Sequence, residues 1–109
     1  MTTFEYGDVV LVEFPETGGS RRKRRPALVI ADIGDDDIVL APITTRMRNS
    51  TGDHAITESE SAGLIKESCV RLAKISTLEK SLISRKLGRF AAKDLAAVSD
   101  AWHRVFVLR

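Results

Sequence analysis

Short apolar runs, separated by turn residues, fill the first two thirds of the chain. They predict strands at Asp8–Phe14, Pro26–Asp32, Asp37–Thr44, His54–Glu58 and Ser68–Ile75. These runs are rich in valine, isoleucine and leucine, and the last of them alternates between apolar and polar positions. Pro26 can open a strand, and Pro42 indicates an edge or a bulge, because proline donates no ladder hydrogen bond.

The last part of the chain has a different period. Apolar residues recur there at helical spacing, at Leu95, Val98, Trp102, Val105 and Phe106. This pattern predicts an amphipathic helix over Ala92–Leu108, with Asp94 near its positive end. Several strands followed by one helix predict a mainly β (α+β) fold, a small and strongly bent barrel.

Length and charge narrow the class of protein. The 109 residues are expected to form a single domain, 1–109. The net charge is only +2, but five basic residues stand together at 21–25 and an acidic turn follows at 35–37. No segment resembles a signal peptide or reaches membrane-spanning length. We therefore expect a cytoplasmic protein with no membrane association.

Few residues could hold a metal or react as nucleophiles. Cys69 is the single cysteine, so no internal disulfide forms, and its strand-like surroundings predict a buried thiol. His54 and His103 lie far apart in the sequence, and no metal-ligand spacing or cofactor-binding fingerprint is present. The sequence therefore predicts no metal and no cofactor.

The basic run is the most informative local feature. Arginine offers a planar set of donors that matches phosphate oxygens, and Gly18 and Gly19 would let the preceding loop adapt to a backbone. The alternative is a solvated charge run without a partner, and the residues alone leave both open. Arg25 differs from its neighbours because Pro26 and the following strand hold it, which suits stabilisation of a transition state.

Hydroxyl and basic groups end the third predicted strand. If consecutive strands pair, Arg25 meets Thr44 at one end of the sheet, with Thr45 and Arg46 next in the chain. The hydroxyl of Thr44 could bind a phosphate or serve only in a turn. His54 could donate a proton or stack on a base, although a lone histidine is more often an ordinary surface residue.

The order of these segments resembles the MazF/PemK family of toxins from bacterial toxin–antitoxin systems. The similarity includes "YGDVVLVEFPET", "RRPALVI", "LAPITT", "AGLIKESCVRLAKISTLEKSLISRKLGRF" and a terminal helix. The resemblance implies an SH3-like barrel of the CcdB/PemK type, with about five to seven strands and a C-terminal helix. It also implies a homodimer that cleaves single-stranded RNA without a metal, leaving 2′,3′-cyclic phosphate and 5′-hydroxyl ends. A cognate antitoxin with an acidic tail would neutralise it.

The resemblance also assigns roles to residues. The family's catalytic arginine, just before the strand-opening proline, falls on Arg25, and its catalytic threonine falls on Thr44. RNA-binding residues are expected around this pair, at Ser20, Arg21, Arg22, Lys23, Arg24, Thr45, Arg46 and His54. Many active members carry Gly-Ser-Glu-Gln in the first loop, whereas this chain has "GGSRRKRRP". The general base is therefore unassigned, with Glu67, Glu16 and His54 as candidates.

Three functions remain open at this point. The first is a sequence-selective ribonuclease toxin. The second is a module of the same fold that binds nucleic acid without cleaving it, which the altered first loop favours. The third is an inhibitor of DNA gyrase, as in the CcdB relatives of this fold, in which the terminal helix would matter more than Arg25.

Overall fold

The structure is a computed structural model that describes residues 3–15 and 22–108, apart from the side chains of Pro15 and Arg22. Its strands are β1 (Asp8–Pro15), β2 (Arg22–Ala31), β3 (Asp37–Thr44), β4 (Asp53–Ala55), β5 (Cys69–Arg71), β6 (Ser76–Glu79) and β7 (Ile83–Arg89). One helix follows, α1 (Ala92–Val105). Short 3₁₀ turns at Leu72–Lys74 and Lys80–Leu82 flank β6. Among the described residues, no helix has the length and apolar character needed to cross a bilayer.

The strands form an antiparallel sheet in the order β4-β5-β3-β2-β1-β7, and β6 also pairs with β3. β3 therefore pairs with three strands. Along one edge its first half pairs with β6 and its end pairs with β5, and along the other edge it pairs with β2. Register shifts between β1 and β7 bend the sheet further. The strongly bent β fold with a C-terminal helix is confirmed.

Alternating residues of the strands supply two hydrophobic clusters, one on each face of the sheet. The cluster beneath α1 includes Val9, Leu28, Ile43, Val70 and Val98. The other contains Val10, Val12, Ala27, Val29, Ile38 and Leu40, with Phe4 and Leu78 packed against it. Since successive side chains in a strand point to opposite faces, both clusters follow from the valine-rich runs of β1 to β3. The central strands are therefore buried on both sides and give the end of the sheet a rigid support.

Several predicted boundaries are wrong. The basic run was expected in a loop before Pro26, but β2 begins at Arg22, because the end of β1 pairs with it as far as Pro15. The fourth strand ends at Ala55, and the fifth stops at Arg71, where a 3₁₀ turn begins. Strands β6 and β7 had no predicted positions. The helix ends at Val105 rather than Leu108.

Candidate functional site

Arg25 and Thr44 come together at the end of β3, where its pairing with β2 has ended and its pairing with β5 begins. Pairing of β2 with β3 reaches Ala27–Pro42, and β3 then pairs with β5 through Thr44. Pro42 is the last residue of β3 that pairs with β2, and a proline has no N–H for a ladder hydrogen bond. Continuing the register by two residues sets Arg25 across from Thr44. Arg25 and Thr44 line the same groove at this end of the sheet, which is the juxtaposition that the sequence predicted.

A groove opens at this point, and its walls define the basic half of the candidate site. This half has a volume of about 320 Å³ and is lined by Lys23, Arg25, Pro26, Ile43, Thr44, Thr45 and Ser68. Lys23 and Arg25 are exposed, Thr44 is half-buried, and Ser68 is buried. The backbone of every cation in this half lies in a strand, so its side chain starts from a fixed position.

The hydroxyl of Thr44 is oriented by the backbone that follows it. Its Oγ1 accepts a hydrogen bond from the N–H of Arg46 at 3.1 Å. A threonine hydroxyl has one proton to donate and two lone pairs. The bond to Arg46 occupies a lone pair and leaves the proton for a group in the groove. The turn chemistry at Thr44 and its capacity to hold a phosphate oxygen are therefore compatible.

The basic half carries positive charge without a compensating carboxylate. Among the described residues, neither Lys23 nor Arg25 forms an ion pair, and no Asp, Glu or His lines this half. A carboxylate nearby would weaken binding of an anion, whereas two unpaired cations strengthen it. The arrangement can bind a phosphate between Arg25 and Thr44 and stabilise negative charge that develops there.

Successive side chains along β2 point to opposite faces of the sheet, so the basic run is divided between the two faces. Arg24 lies opposite Glu13 on β1 and forms an ion pair with it at 3.5 Å between Nε and Oε1. Arg25, the next residue, lines the groove. Arg22 begins β2, and its side chain is not described, while Ser20 and Arg21 lie outside the described residues. The run is therefore not one uniform phosphate-facing cluster.

Arg46 and His54 do not line the groove. Arg46 is exposed, and its backbone carbonyl accepts a weak 3.8 Å bond from the buried thiol of Cys69. His54 is turned toward the helix instead, and its Nε2 lies 2.8 Å from Oδ1 of Asp94. Of the candidate general bases, Glu67 is exposed outside the groove lining, and Glu16 lies outside the described residues.

Asp94, which the sequence placed only near the positive end of the helix, is a structural centre of the fold. Its side chain is fully buried in the first turn of α1, and it accepts bonds from His54, from the N–H and hydroxyl of Thr57, and from the N–H of Glu58. Burial acts to raise the pKa of this carboxyl, but the bonds from Thr57, His54 and Glu58 together lower that pKa below its usual range. Asp94 therefore fixes the helix to the segment that follows β4.

The groove continues past Ser68 into a second part, the apolar half. This half has a volume of about 340 Å³ and is lined by Pro26, Thr45, Gly63, Leu64, Ile65, Lys66, Ser68, Arg85 and Leu87. Sequence reasoning missed it because the 63–68 segment and β7 are distant in the chain from β2. The one local signal was the polar stretch "SRK" in β7, which places an exposed Arg85 on a strand.

Fold and site together define a class: a small β-barrel with a C-terminal helix, and a basic groove at one end of its sheet. Comparison of the sequence with known families gives a match to the PemK-like, MazF-like toxins of type II toxin-antitoxin systems over residues 5–106. The chain belongs to this family. No curated protein matches the sequence significantly.

Solved structures agree with this assignment at the level of the fold. The Mycobacterium tuberculosis toxin MazF-mt6 has a TM-score of 0.78 and 21% identity, covering 94% of this chain and 98% of the other. A mycobacterial endoribonuclease in complex with its cognate antitoxin has a TM-score of 0.74 and 19% identity, covering 94% and 93%. MazF in a MazE–MazF structure from Deinococcus radiodurans has a TM-score of 0.76 and 20% identity, covering 96% of each chain.

Among the described residues, no group of three or more His, Cys, Asp or Glu side chains is arranged to hold a metal ion.

Proposed function

We propose that this protein is a toxin that cleaves single-stranded RNA, in a sequence-selective reaction that needs no metal ion. The observation that carries the proposal is the juxtaposition of Arg25 and Thr44 in one basic groove. Family membership supports the proposal. A structural neighbour described as an endoribonuclease in complex with its cognate antitoxin supports it as well. We assign Arg25 and Thr44 as catalytic residues, and Lys23 and Thr45 as residues that hold the RNA.

The chemistry follows from what the groove can stabilise. The 2′-hydroxyl of a nucleotide attacks the adjacent phosphorus, so a bond from phosphorus to O2′ forms as the bond to O5′ breaks. The 2′-hydroxyl loses its proton, and the departing 5′-oxygen gains one. The products are a 2′,3′-cyclic phosphate and a 5′-hydroxyl. Arg25 stabilises the charge on the phosphorane, and the Thr44 hydroxyl donates to a non-bridging oxygen, each worth roughly 3 kcal/mol by analogy with oxyanion holes.

The general base stays unassigned in this proposal. No described carboxylate or histidine lines the groove, and His54 is engaged by Asp94. The same observation favours one alternative, a module that binds RNA without cleaving it. In that case the cations of the groove would act only as a binding surface.

The partners in the proposal follow from the family and from the charge of the groove. An antitoxin with an acidic tail would occupy the groove and exclude RNA from it, since its carboxylates would take the place of phosphates. We further propose that the protein acts as a homodimer in the cytoplasm, where its RNA substrate is located.

Cleavage of a mixed-sequence RNA in excess chelator tests the proposal. We expect cuts at a short recurring sequence, with cyclic-phosphate and 5′-hydroxyl ends. A single 2′-deoxy substitution at the cut site should abolish cleavage and leave binding intact, because it removes the nucleophile alone. Thr44→Ala should slow cleavage by roughly 100-fold or more, and Thr44→Ser should retain most activity. Binding without any cleavage would establish the non-cleaving module, and loss of activity in chelator would refute the metal-free reaction.

A further inference from the structure

The two halves of the groove form one continuous surface. Pro26, Thr45 and Ser68 line both halves. An RNA strand whose phosphate lies between Arg25 and Thr44 therefore meets the apolar half on one side. What the apolar half can bind is determined by its cations and by its walls.

Arg85 lies on the far side of the apolar half, at a distance set by the sheet. Its strand, β7, pairs with β1 so that Arg85 is opposite Leu11, and Leu11 is opposite Pro26 on β2. Two strand spacings amount to roughly 10 Å. Arg85 therefore lies two strands from Pro26, the residue next to Arg25, and can contact a phosphate further along an RNA strand than the one between Arg25 and Thr44.

The charge of Arg85 is available for a ligand. Its neighbours on β7 are engaged by acidic groups, since Lys86 and Arg89 both pair with Asp8, at 3.0 and 3.1 Å. Arg85 is exposed and has no acidic partner among the described residues. Lys66 is the second cation of the apolar half, but it lies on a loop, whereas Arg85 is held by the sheet. Arg85 is therefore the better-fixed cation for a phosphate.

The wall between the two arginines is apolar and ends in an exposed isoleucine. Leu64, Leu87 and Pro26 contribute to it, and Ile65 is 100% exposed in the 63–68 segment. The residues just before this segment are docked on β7, where the N–H of Arg89 donates to the carbonyl of Ser61 at 3.0 Å. An exposed apolar side chain on a fixed wall can pack against the flat face of a nucleobase.

We infer that the apolar half binds the nucleotide adjacent to the cleaved linkage, with its base against Ile65 and its outer phosphate on Arg85. This inference rests on the proposed function and extends the substrate site beyond the arginine–threonine pair. Arg85 and Ile65 would both contribute to RNA affinity, and the salt dependence of that affinity distinguishes their contributions. A phosphate contact depends on salt, and an apolar contact does not.

Binding of a mixed-sequence pool of 2′-O-methyl RNA, which lacks the nucleophilic hydroxyl, separates the two contacts. Arg85→Ala should weaken binding by about tenfold at low salt and flatten the slope of log K against log salt by roughly 0.7, while Arg85→Lys should keep the slope. Arg104→Ala, an exposed arginine of α1 outside the groove, is the charge-matched control. Ile65→Ser should weaken binding by roughly threefold without changing the slope. Ile33→Ser, at an exposed isoleucine outside the groove lining, is its control.

The possible results separate this inference from the proposed function. If Arg85→Ala behaves like Arg104→Ala while the parent protein binds RNA, the phosphate site is refuted and the ribonuclease proposal stands. If Ile65→Ser behaves like Ile33→Ser, the base is not held at the apolar wall. A folded parent protein that binds no RNA, either in this pool or in unmodified form, would overturn the proposed function and with it the extended site.

Discussion

Single side chains in this protein have different roles although they look alike in the sequence. Arg24 and Arg25 are adjacent, yet Arg24 pairs with Glu13 and Arg25 lines the groove. Asp94 and Asp100 lie on the same helix, yet Asp94 is fully buried and Asp100 is exposed. The alternation of a strand and the period of a helix account for both differences.

Replacing Asp94 should destabilise the protein strongly. Asp94→Ala leaves four donors without their buried acceptor, among them the half-buried His54 ring, which should lower the free energy of unfolding by about 3 kcal/mol near neutral pH. Because the folded-state pKa of Asp94 lies below its usual range, its contribution is complete above about pH 4 and is lost as the pH falls through that lowered pKa. The difference between wild type and variant should narrow on acidification. Urea unfolding at equal protein concentrations measures both effects.

The matched control is Asp100→Ala, which changes an exposed carboxylate of the same helix. Its free energy of unfolding should stay within about 0.5 kcal/mol of wild type. Equal losses for Asp94→Ala and Asp100→Ala would contradict the bonding described for Asp94.

At the scale of elements, the groove depends on how the 57–68 segment docks on β7. Gly63 has a φ of 75°, and a Cβ there would overlap the carbonyl oxygen of Leu87. The carbonyl of Ser61 accepts from Arg89 N–H, and the Ser61 hydroxyl donates to the Arg89 carbonyl. The wall formed by Leu64 and Ile65 is therefore held by close backbone contact.

Gly63→Ala should push the 57–68 segment away from β7 and lower the free energy of unfolding by about 3 kcal/mol. The positive φ disfavours a side chain at this position, and the nearby Leu87 carbonyl leaves no room for a methyl group. Gly34→Ala is a suitable control, because Gly34 also has a positive φ, 94°, but has nothing within 4 Å of the added atom. It should cost about 1 kcal/mol from the conformation alone. Similar losses for the two variants, measured by urea unfolding, would refute the close docking.

Some of these elements could be predicted from the sequence, and others could not. Valine-rich runs gave β1 to β3, and the adjacency of consecutive strands was sufficient to bring Arg25 to Thr44. The strand at Arg22 was missed because the charges resemble a solvated loop, although pairing with β1 accommodates them. The place of Arg85 in the groove and the hydrogen bonds of Asp94 were missed for a different reason: the residues around them lie far away in the chain, and single-sequence periodicity contains no long-range contacts.

At the scale of the whole molecule, two ends differ in character. The groove end presents Lys23, Arg25 and Arg85 without acidic partners among the described residues. The C-terminal end of the described chain exposes Val107 and Leu108 beyond α1. A ribonuclease acts through the first end, whereas a gyrase inhibitor of the CcdB kind would depend on the second.

Growth after induced expression distinguishes these ends. The parent protein should slow growth, and Arg25→Ala should relieve this effect because it removes the charge that stabilises the reacting phosphate. The double variant Val107→Ser, Leu108→Ser should remain toxic. The reverse pattern, with toxicity kept by Arg25→Ala and lost at the C-terminal end, would favour action on a protein target.

The most direct test of the account compares Arg24→Ala with Arg25→Ala in single-turnover cleavage of RNA. Both variants remove one positive charge from the same strand, but only Arg25 lines the groove with Thr44. We predict that Arg25→Ala lowers the rate by roughly 100-fold to 1000-fold, while Arg24→Ala changes it by no more than about threefold. Equal losses in both variants, or full cleavage by Arg25→Ala, would contradict the assignment of Arg25 as the residue that stabilises the transition state.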